Sequence, residues 1–377
     1  LKGKETEVMR KIVLLLVLVL ALGASVSEAQ DDIATTWVCP EGFTGQTLNL
    51  YNWTTYVAED TIPNFEALCG VTVVQSFYGS NEEMIAKLRT GNPGYDVVVP
   101  TGGSVITMLN ADLLEPLDLS MVPNAANVTP SLLDPVYDPG NQYTLPYQWG
   151  TMGVGYNIEA VGGEITSWQQ VWDYQGNVAW LEDLDAMLGI GLDLLGYDPN
   201  TMNPDEVAEA RDYLLDRANN VRAIAQDDGQ EKLQTGEVDI VIEYSGDIFQ
   251  IIADCEANPE KNCAGQFAFA LPEEGAIRWV DNLAIPVDAP NPALAHVFFD
   301  YILDPQVGAD ISNYTAFSSP NQASIDAGLI LPEYLESPII YPTEESAGSL
   351  FSIVNQGDEW SRMRIELWDE LKVLLAV

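Results

Sequence analysis

Between Leu48 and Pro100 the apolar and polar positions fall into short runs of two different periods. "LNLYNW" and "VTVVQSFY" are strand-like, and "YDVVVP" is a continuous apolar run of the buried-strand kind. Between them, "VAEDTIPNFEALCG" and "NEEMIAKLRTG" carry helical spacing, the first closed by Gly70, the second capped by Asn81 and stopped by Gly91. Strand, helix, strand, helix, strand predicts a parallel α/β sheet with helices on its faces. In such sheets ligands collect beyond the carboxyl ends of the strands, and Trp53 and Thr101 lie just past two such ends.

A second region of the same character begins at "TMGVGYN". It runs through "NVAWLEDLDAMLGIGLDLLGY", the helix "PDEVAEARDYLLDRANN" and the strand "VDIVIEYSGD" to "QFAFALPEEGAIRWVDNLAIP". From Asn291 onward the pattern is helical with proline breaks, and it ends in the helix "WSRMRIELWDELKVLL". A chain of 377 residues exceeds what one compact core usually serves, so the two regions predict two lobes.

Ahead of these elements, Arg10 and Lys11 precede the apolar run "IVLLLVLVLALG" and the small-residue site Ser27-Glu28-Ala29. This predicts a cleaved secretory signal within Met9 to Ala29, the residues before Met9 being an upstream extension. The run is too short to span a bilayer comfortably, so the protein is expected to be periplasmic or otherwise extracytoplasmic. In an exported chain four cysteines predict two disulfides. Cys255 and Cys263 bracket the polar loop "EANPEKN" as a local pair, which leaves Cys39 with Cys69. His296 is the single histidine and no two cysteines are close in sequence, so neither a metal site nor a cofactor is expected.

The net charge is −42, and loss of residues 1–29 removes four basic and three acidic side chains, leaving −43. From Thr90 to Ala210 there is no Lys or Arg, so the chain has no cluster with which to displace counterions from a nucleic acid. A cationic partner is favoured, although an acidic surface also serves solubility alone.

Several stretches carry a resemblance. "YNWTTYV", "GSNEEMIAKLRTG", "YDVVVPT", "YTLPYQWGTMGVGYN", "TSWQQVWD", "YSGDIFQ" and "RWVDNLAIP", in this order, resemble the substrate-binding proteins of polyamine ABC importers, the spermidine/putrescine-binding group. The resemblance implies an α/β, two-lobed periplasmic-binding-protein-like fold (type II), hinged, with the ligand in the cleft between lobes. Residues 45–148 and 282–330 would form one lobe and 149–281 and 331–377 the other, after a leader at 1–29 and an N-terminal segment at 30–44. The chain would cross between lobes near "PYQWGTMG", near "EEGAIRWVDN" and before the C-terminal helix.

A polyamine cleft must replace the water lost by each ammonium group with carboxylates and other acceptors. Aromatic faces add roughly 0.5–2 kcal/mol per cation contact and cover the methylene spacers. Residues matching the family's binding positions supply that set. Trp53 and Tyr56 would form one wall, with Thr54 and Thr101 as hydroxyl partners, and Tyr244 and Trp279 the opposing wall. Asp183, Asp247 and Asp281 would anchor the amines, with Asp185 as substitute for Asp183, and with Gln226 and Phe317 as further contacts. Trp279 and Asp281, two apart on a crossing strand, are expected to point to the same side. Asp183 also reads as a helix N-cap and Asp247 as a turn or cap residue.

Departures from the familiar pattern are Thr55, where relatives often have an acidic residue, Gly103 (tyrosine), Ala186 (glutamate), Tyr244 (tryptophan) and Phe317 (tyrosine). The losses at Gly103 and Ala186 weaken the case for a long triamine. The expected partners are a small cationic ligand, putrescine or spermidine, and the membrane permease of an ABC importer, with the protein acting as a monomer. The competing readings are the same fold holding another amine, an anion, a ferric ion or an amino acid, and a secreted hydrolase using paired carboxylates. A Ser-His-Asp triad is disfavoured because His296 reads as a helix-face residue.

Overall fold

In the computed structural model, residues 35–226, 228–342, 348–355 and 357–375 are described. The signal peptide expected before Gln30 lies outside them.

Leu48 and Leu50 are buried on one face of β1 (Thr47–Asn52) and Tyr51 on the other, as a strand covered on both sides requires. β1 pairs in parallel with β2 (Thr72–Phe77) and β3 (Val97–Val98). Helices α1 (Thr61–Cys69) and α2 (Asn81–Arg89) make the crossovers, and α3 (Gly102–Asn110) follows β3. Two local expectations shift. α1 starts at Thr61 rather than near Val57, because Pro63 is tolerated only in a first turn. The cap of α2 is Ser80, whose Oγ accepts from the Glu83 N–H, while the side chain of Asn81 is engaged by Thr101.

The expected parallel sheet is in fact mixed. β4 (Thr144–Asn157) and β9 (Ala276–Ala284), the stretches read as crossings, are long strands paired antiparallel from Thr144 opposite Ala284 to Met152 opposite Ile277. Beyond them, β5 (Val178–Leu181) pairs in parallel with β6 (Val221–Ala225) and β7 (Ile240–Tyr244). The sheet order is β2-β1-β3-β9-β4-β7-β5-β6, with β8 (Phe267–Ala270) on β4 and β10 (Leu350–Phe351) on β9. The longer helices of the second region are α4 (Trp168–Asp173), α5 (Leu184–Leu194), α6 (Pro204–Leu215), α7 (Gly229–Thr235) and α8 (Ser245–Ala257); α9 (Pro292–Ile302), α10 (Pro305–Thr315) and α11 (Asp358–Leu375) are the longer ones that follow.

Burial falls into four clusters, two gathered around the first strands and two in the second region, so that they form two groups along this sheet. Leu48, Leu50, Phe65, Phe298 and Tyr301 pack together with Trp37, whose Nε1 donates to Asp300. Trp168, Trp172, Trp180 and Trp368 anchor the other group. On α11 the buried positions are Trp360, Arg364, Trp368 and Leu371, a helical stripe interrupted by one charge. Arg364 sits 4.0 Å from the Trp360 ring and donates to the carbonyls of Asp185 and Pro199, which lie on and just after α5.

Cys39 is bonded to Cys69 and Cys255 to Cys263. The first bridge ties the N-terminal segment to the end of α1 across 30 residues of chain. Closing a loop of that length restricts the unfolded state by about 3.6 kcal/mol. The double substitution Cys39→Ala, Cys69→Ala is therefore expected to lower the unfolding free energy by about 2–4 kcal/mol in urea titrations. An unchanged midpoint would show that the segment is held by its side-chain contacts instead.

Candidate ligand-binding site

Asp281 on β9 faces the carboxyl ends of β1 and β3. Its Oδ2 accepts from the Tyr56 hydroxyl at 2.8 Å and its Oδ1 from the Thr101 hydroxyl at 2.7 Å. Tyr56 reaches it because Thr55, at φ 50°, turns the chain through the left-handed region directly after β1. Thr101 precedes α3 and is itself fixed by Asn81, which accepts from its N–H at 3.0 Å and donates to its hydroxyl at 3.1 Å. Asp281 is 6% exposed, and among the described residues it has no ion pair. Burial pushes its carboxyl up to about 6, against the downward pull of the two hydroxyl bonds.

From Asp281 a run of aromatic rings leads across the sheet. Tyr56 and Phe317 have ring centres 5.8 Å apart, Phe317 and Trp279 4.9 Å, and Trp279 and Tyr244 5.9 Å, all edge to face. Edge-to-face contact is a favoured arrangement of aromatic pairs. Two glycines let the rings approach the backbone. A Cβ at Gly150 would lie 2.6 Å from Trp279, and one at Gly246 would lie 2.3 Å from Phe317. Trp279 and Asp281 do share a side of β9, since Trp279 meets Phe317, Phe317 meets Tyr56 and Tyr56 meets Asp281.

The run ends on further carboxylates. The Tyr244 hydroxyl donates to Asp183 Oδ2 at 3.2 Å, while Asp183 Oδ1 caps α5 by accepting from the Ala186 N–H at 2.9 Å. One side chain thus both caps α5 and accepts from Tyr244. Asp185, in the first turn of α5, has a buried Oδ1 with no hydrogen-bond partner. Burial lifts its carboxyl to about 8, against the pull of Arg364, with repulsion from Asp183 and Glu82 adding to the rise. The carboxyl of Glu82, in the first turn of α2, is raised by desolvation and, to a smaller extent, by the charge of Asp183.

The remaining expected residues distribute unevenly. Trp53 is half-buried, with its Nε1 donating to the Val99 carbonyl at 2.9 Å and its ring set against Tyr78. Thr54 is exposed beside it. Asp247 is half-buried in the first turn of α8, where the helix N-terminus favours a carboxylate. Gln226 does not join the cluster: it is exposed and its amide is bound by Glu182. Three participants escaped the sequence reading. Tyr147 packs edge-on against Tyr56 and donates to its carbonyl, and Glu82 and Asn81 both lie in the stretch "GSNEEM". All three fall within stretches that carried the resemblance, which was the available signal.

Comparison with known proteins bears on this site. Residues 61–338 match the family described as bacterial extracellular solute-binding proteins. The chain is 34% identical over 343 residues to the putrescine-binding periplasmic protein PotF of Escherichia coli, covering 87% of this chain and 91% of that protein. It is 32% identical to the spermidine/putrescine-binding periplasmic protein of the same organism, covering 87% and 88%. Among solved structures, a putative spermidine/putrescine ABC transporter protein from Listeria monocytogenes superposes with a TM-score of 0.79 at 29% identity, over 86% of this chain and 98% of that one. With its hinged two-lobed α/β fold, this chain belongs to the bacterial extracellular solute-binding protein family.

Proposed function

We propose that this protein captures a polyamine, putrescine or spermidine, outside the cytoplasm and delivers it to the membrane permease of an ABC importer. The observation that carries the reading is a run of four aromatic rings with a desolvated carboxylate at one end, Asp281, and the pair Asp183 and Asp185 at the other. A carboxylate kept from water without a counter-ion is costly, and an ammonium group supplies what is missing. A linear amine carries such groups at its ends and methylenes between, which suit ring faces. Relatives named for putrescine and spermidine support the same ligand class.

In this reading Trp53, Tyr56, Thr101, Asp183, Tyr244, Trp279 and Asp281 hold the ligand, with Phe317, Asp185, Asp247 and Thr54 around them. Residues 45–148 with 282–330 and residues 149–281 with 331–377 act as the two lobes, and the protein works as a monomer. No bond is made or broken. Closure is favoured only as far as the ligand binds the closed state better than the open one, and the permease reads that difference.

Titration calorimetry of protein unfolded and refolded to strip carried ligand, against putrescine, cadaverine, spermidine and spermine with glutamate as control, is expected to show tight binding of at least one amine and none of glutamate. Folded protein that binds no amine would overturn the proposal. Asp281→Asn is expected to weaken binding by about 1.5–3 kcal/mol through loss of one charge-assisted contact.

The same substitution has the opposite effect on the empty protein. The carboxyl of Asp281 lies at about 6 when folded, above its ordinary value of 3.8, so between these values the folded form holds more protons than the unfolded one. Stability from this group is therefore lost as pH rises through that window, and it is lowest above it. Asp281→Asn removes the penalty and is expected to stabilise the ligand-free protein at pH 7 by about 1–3 kcal/mol. Amine affinity of the wild type is expected to fall below about pH 6, as the carboxyl takes up a proton. Empty wild-type and Asp281→Asn proteins with equal denaturation midpoints at pH 7 would count against a desolvated carboxylate.

A further inference from the structure

The segment after β10 touches both groups of buried residues. On one side it is fixed to the second region. β10 pairs with Ala276 and Ile277 of β9, and the Ser352 hydroxyl donates to the Arg278 carbonyl at 2.9 Å. Asn200 brackets the same backbone, donating to the Ser352 carbonyl at 3.0 Å and accepting from the Val354 N–H at 2.7 Å. The Ile353 side chain lies on α5, where a Cβ at Gly189 would be 2.5 Å from its Cδ1. The segment is therefore part of the body that carries Asp183 and Asp185.

On its other side it meets the first turn of α3, a helix whose Val105 and Met108 pack with Tyr51 and Val98 of the opposite group. The Asn355 N–H donates to the Gly103 carbonyl at 3.1 Å. A Cβ at Gly103 would stand 2.8 Å from the Ile353 carbonyl oxygen, a backbone atom that cannot swing aside. This contact is made backbone to backbone, two residues from Thr101, which holds Asp281. It joins the two bodies at a point away from β4 and β9, which already connect them as continuous strands.

We propose that Gly103 is the seat of a closing clasp: residues 353–355 dock on the first turn of α3 when the lobes come together, and ligand affinity depends on that docking. Gly103 is a positioning residue here, because it touches neither carboxylate nor ring of the site. The absence of a side chain is what allows the approach. The inference rests on the reading of the protein as one that closes on its ligand, since only differential stabilisation of the closed state changes affinity.

The test is Gly103→Ala, with Ser104→Ala in the same helical turn as control. Alanine favours a helix over glycine, so the ligand-free variant is expected to keep or slightly raise its melting temperature. Its affinity for putrescine is expected to fall by about tenfold or more, because the closed state is penalised. Ser104→Ala is expected to bind as the wild type does. Unchanged affinity in Gly103→Ala would overturn the proposal. So would a large drop in melting temperature, since the contact would then serve the fold rather than closure.

A second readout does not require that any amine bind. Spin labels at the exposed positions Thr90 and Asp205, one in each body, report the separation of the lobes. A short-distance population in the wild type that is lost in Gly103→Ala supports the clasp. The same population retained in Gly103→Ala, or absent from the wild type with and without ligand, overturns it. Failure of every amine to bind, with the distance result intact, would remove the polyamine reading and leave the clasp standing.

Discussion

A carboxylate kept out of water, with no ion pair among the described residues, is the constraint around which this molecule is arranged. Asp281 stands on β9, and among the described residues its side chain is met by a pair of hydroxyls brought from beyond the ends of β1 and β3. Neither hydroxyl neutralises the charge, so part of the desolvation cost remains. That residue of unfavourable energy is what a cation can relieve. The neighbouring elements are placed accordingly: Thr55 in a left-handed turn, Asn81 diverted from capping to hold Thr101, and β4 and β9 run antiparallel so that Gly150 lies opposite Trp279.

Much of the element order was legible in the chain because strand and helix periods alternate cleanly from Leu48 to Pro100 and again from Asn177 to Asp247. Pairing was not. "TLPYQWGTMGVGYN" is buried along nearly its whole length, so it has no alternation by which to be read as a strand, and its partner lies far along the chain. Its reading as a crossing came from resemblance, whereas its register depends on tertiary contacts. Ser80 and Asn81 illustrate the same limit. Both are good caps by local rule, and the choice is made by Thr101, which no local rule includes.

The site was legible in its residue types and less so in its connections. Asp183 was open to two readings, cap or ligand contact, and its two oxygens face α5 and Tyr244 respectively. Phe317, a weaker expectation, lies at the middle of the aromatic run, because Gly246 clears a place for it. Gln226 shows the converse: an amide near the right stretch is used up by Glu182, itself paired with Lys372 of α11. Side chains that long choose partners by what remains unpaired after folding, and that is a property of the assembled surface rather than of the local string.

The charge of −42 and the few buried carboxylates act on a cation in different ways, and the distinction matters for what the protein can select. Surface carboxylates draw any cation toward the molecule, but their field fades beyond a Debye length of about 8 Å at physiological ionic strength. They raise encounter rates without discriminating sodium from an amine. Asp281 is shielded from that screening by burial, and its hydrogen-bond partners are two hydroxyls. A hydrated metal cation gains little by surrendering its shell to one carboxylate and two hydroxyls. In the proposed function an ammonium on a methylene chain would give up less water and could lay its chain against the rings. Salt should therefore weaken the approach of a ligand far more than its final hold.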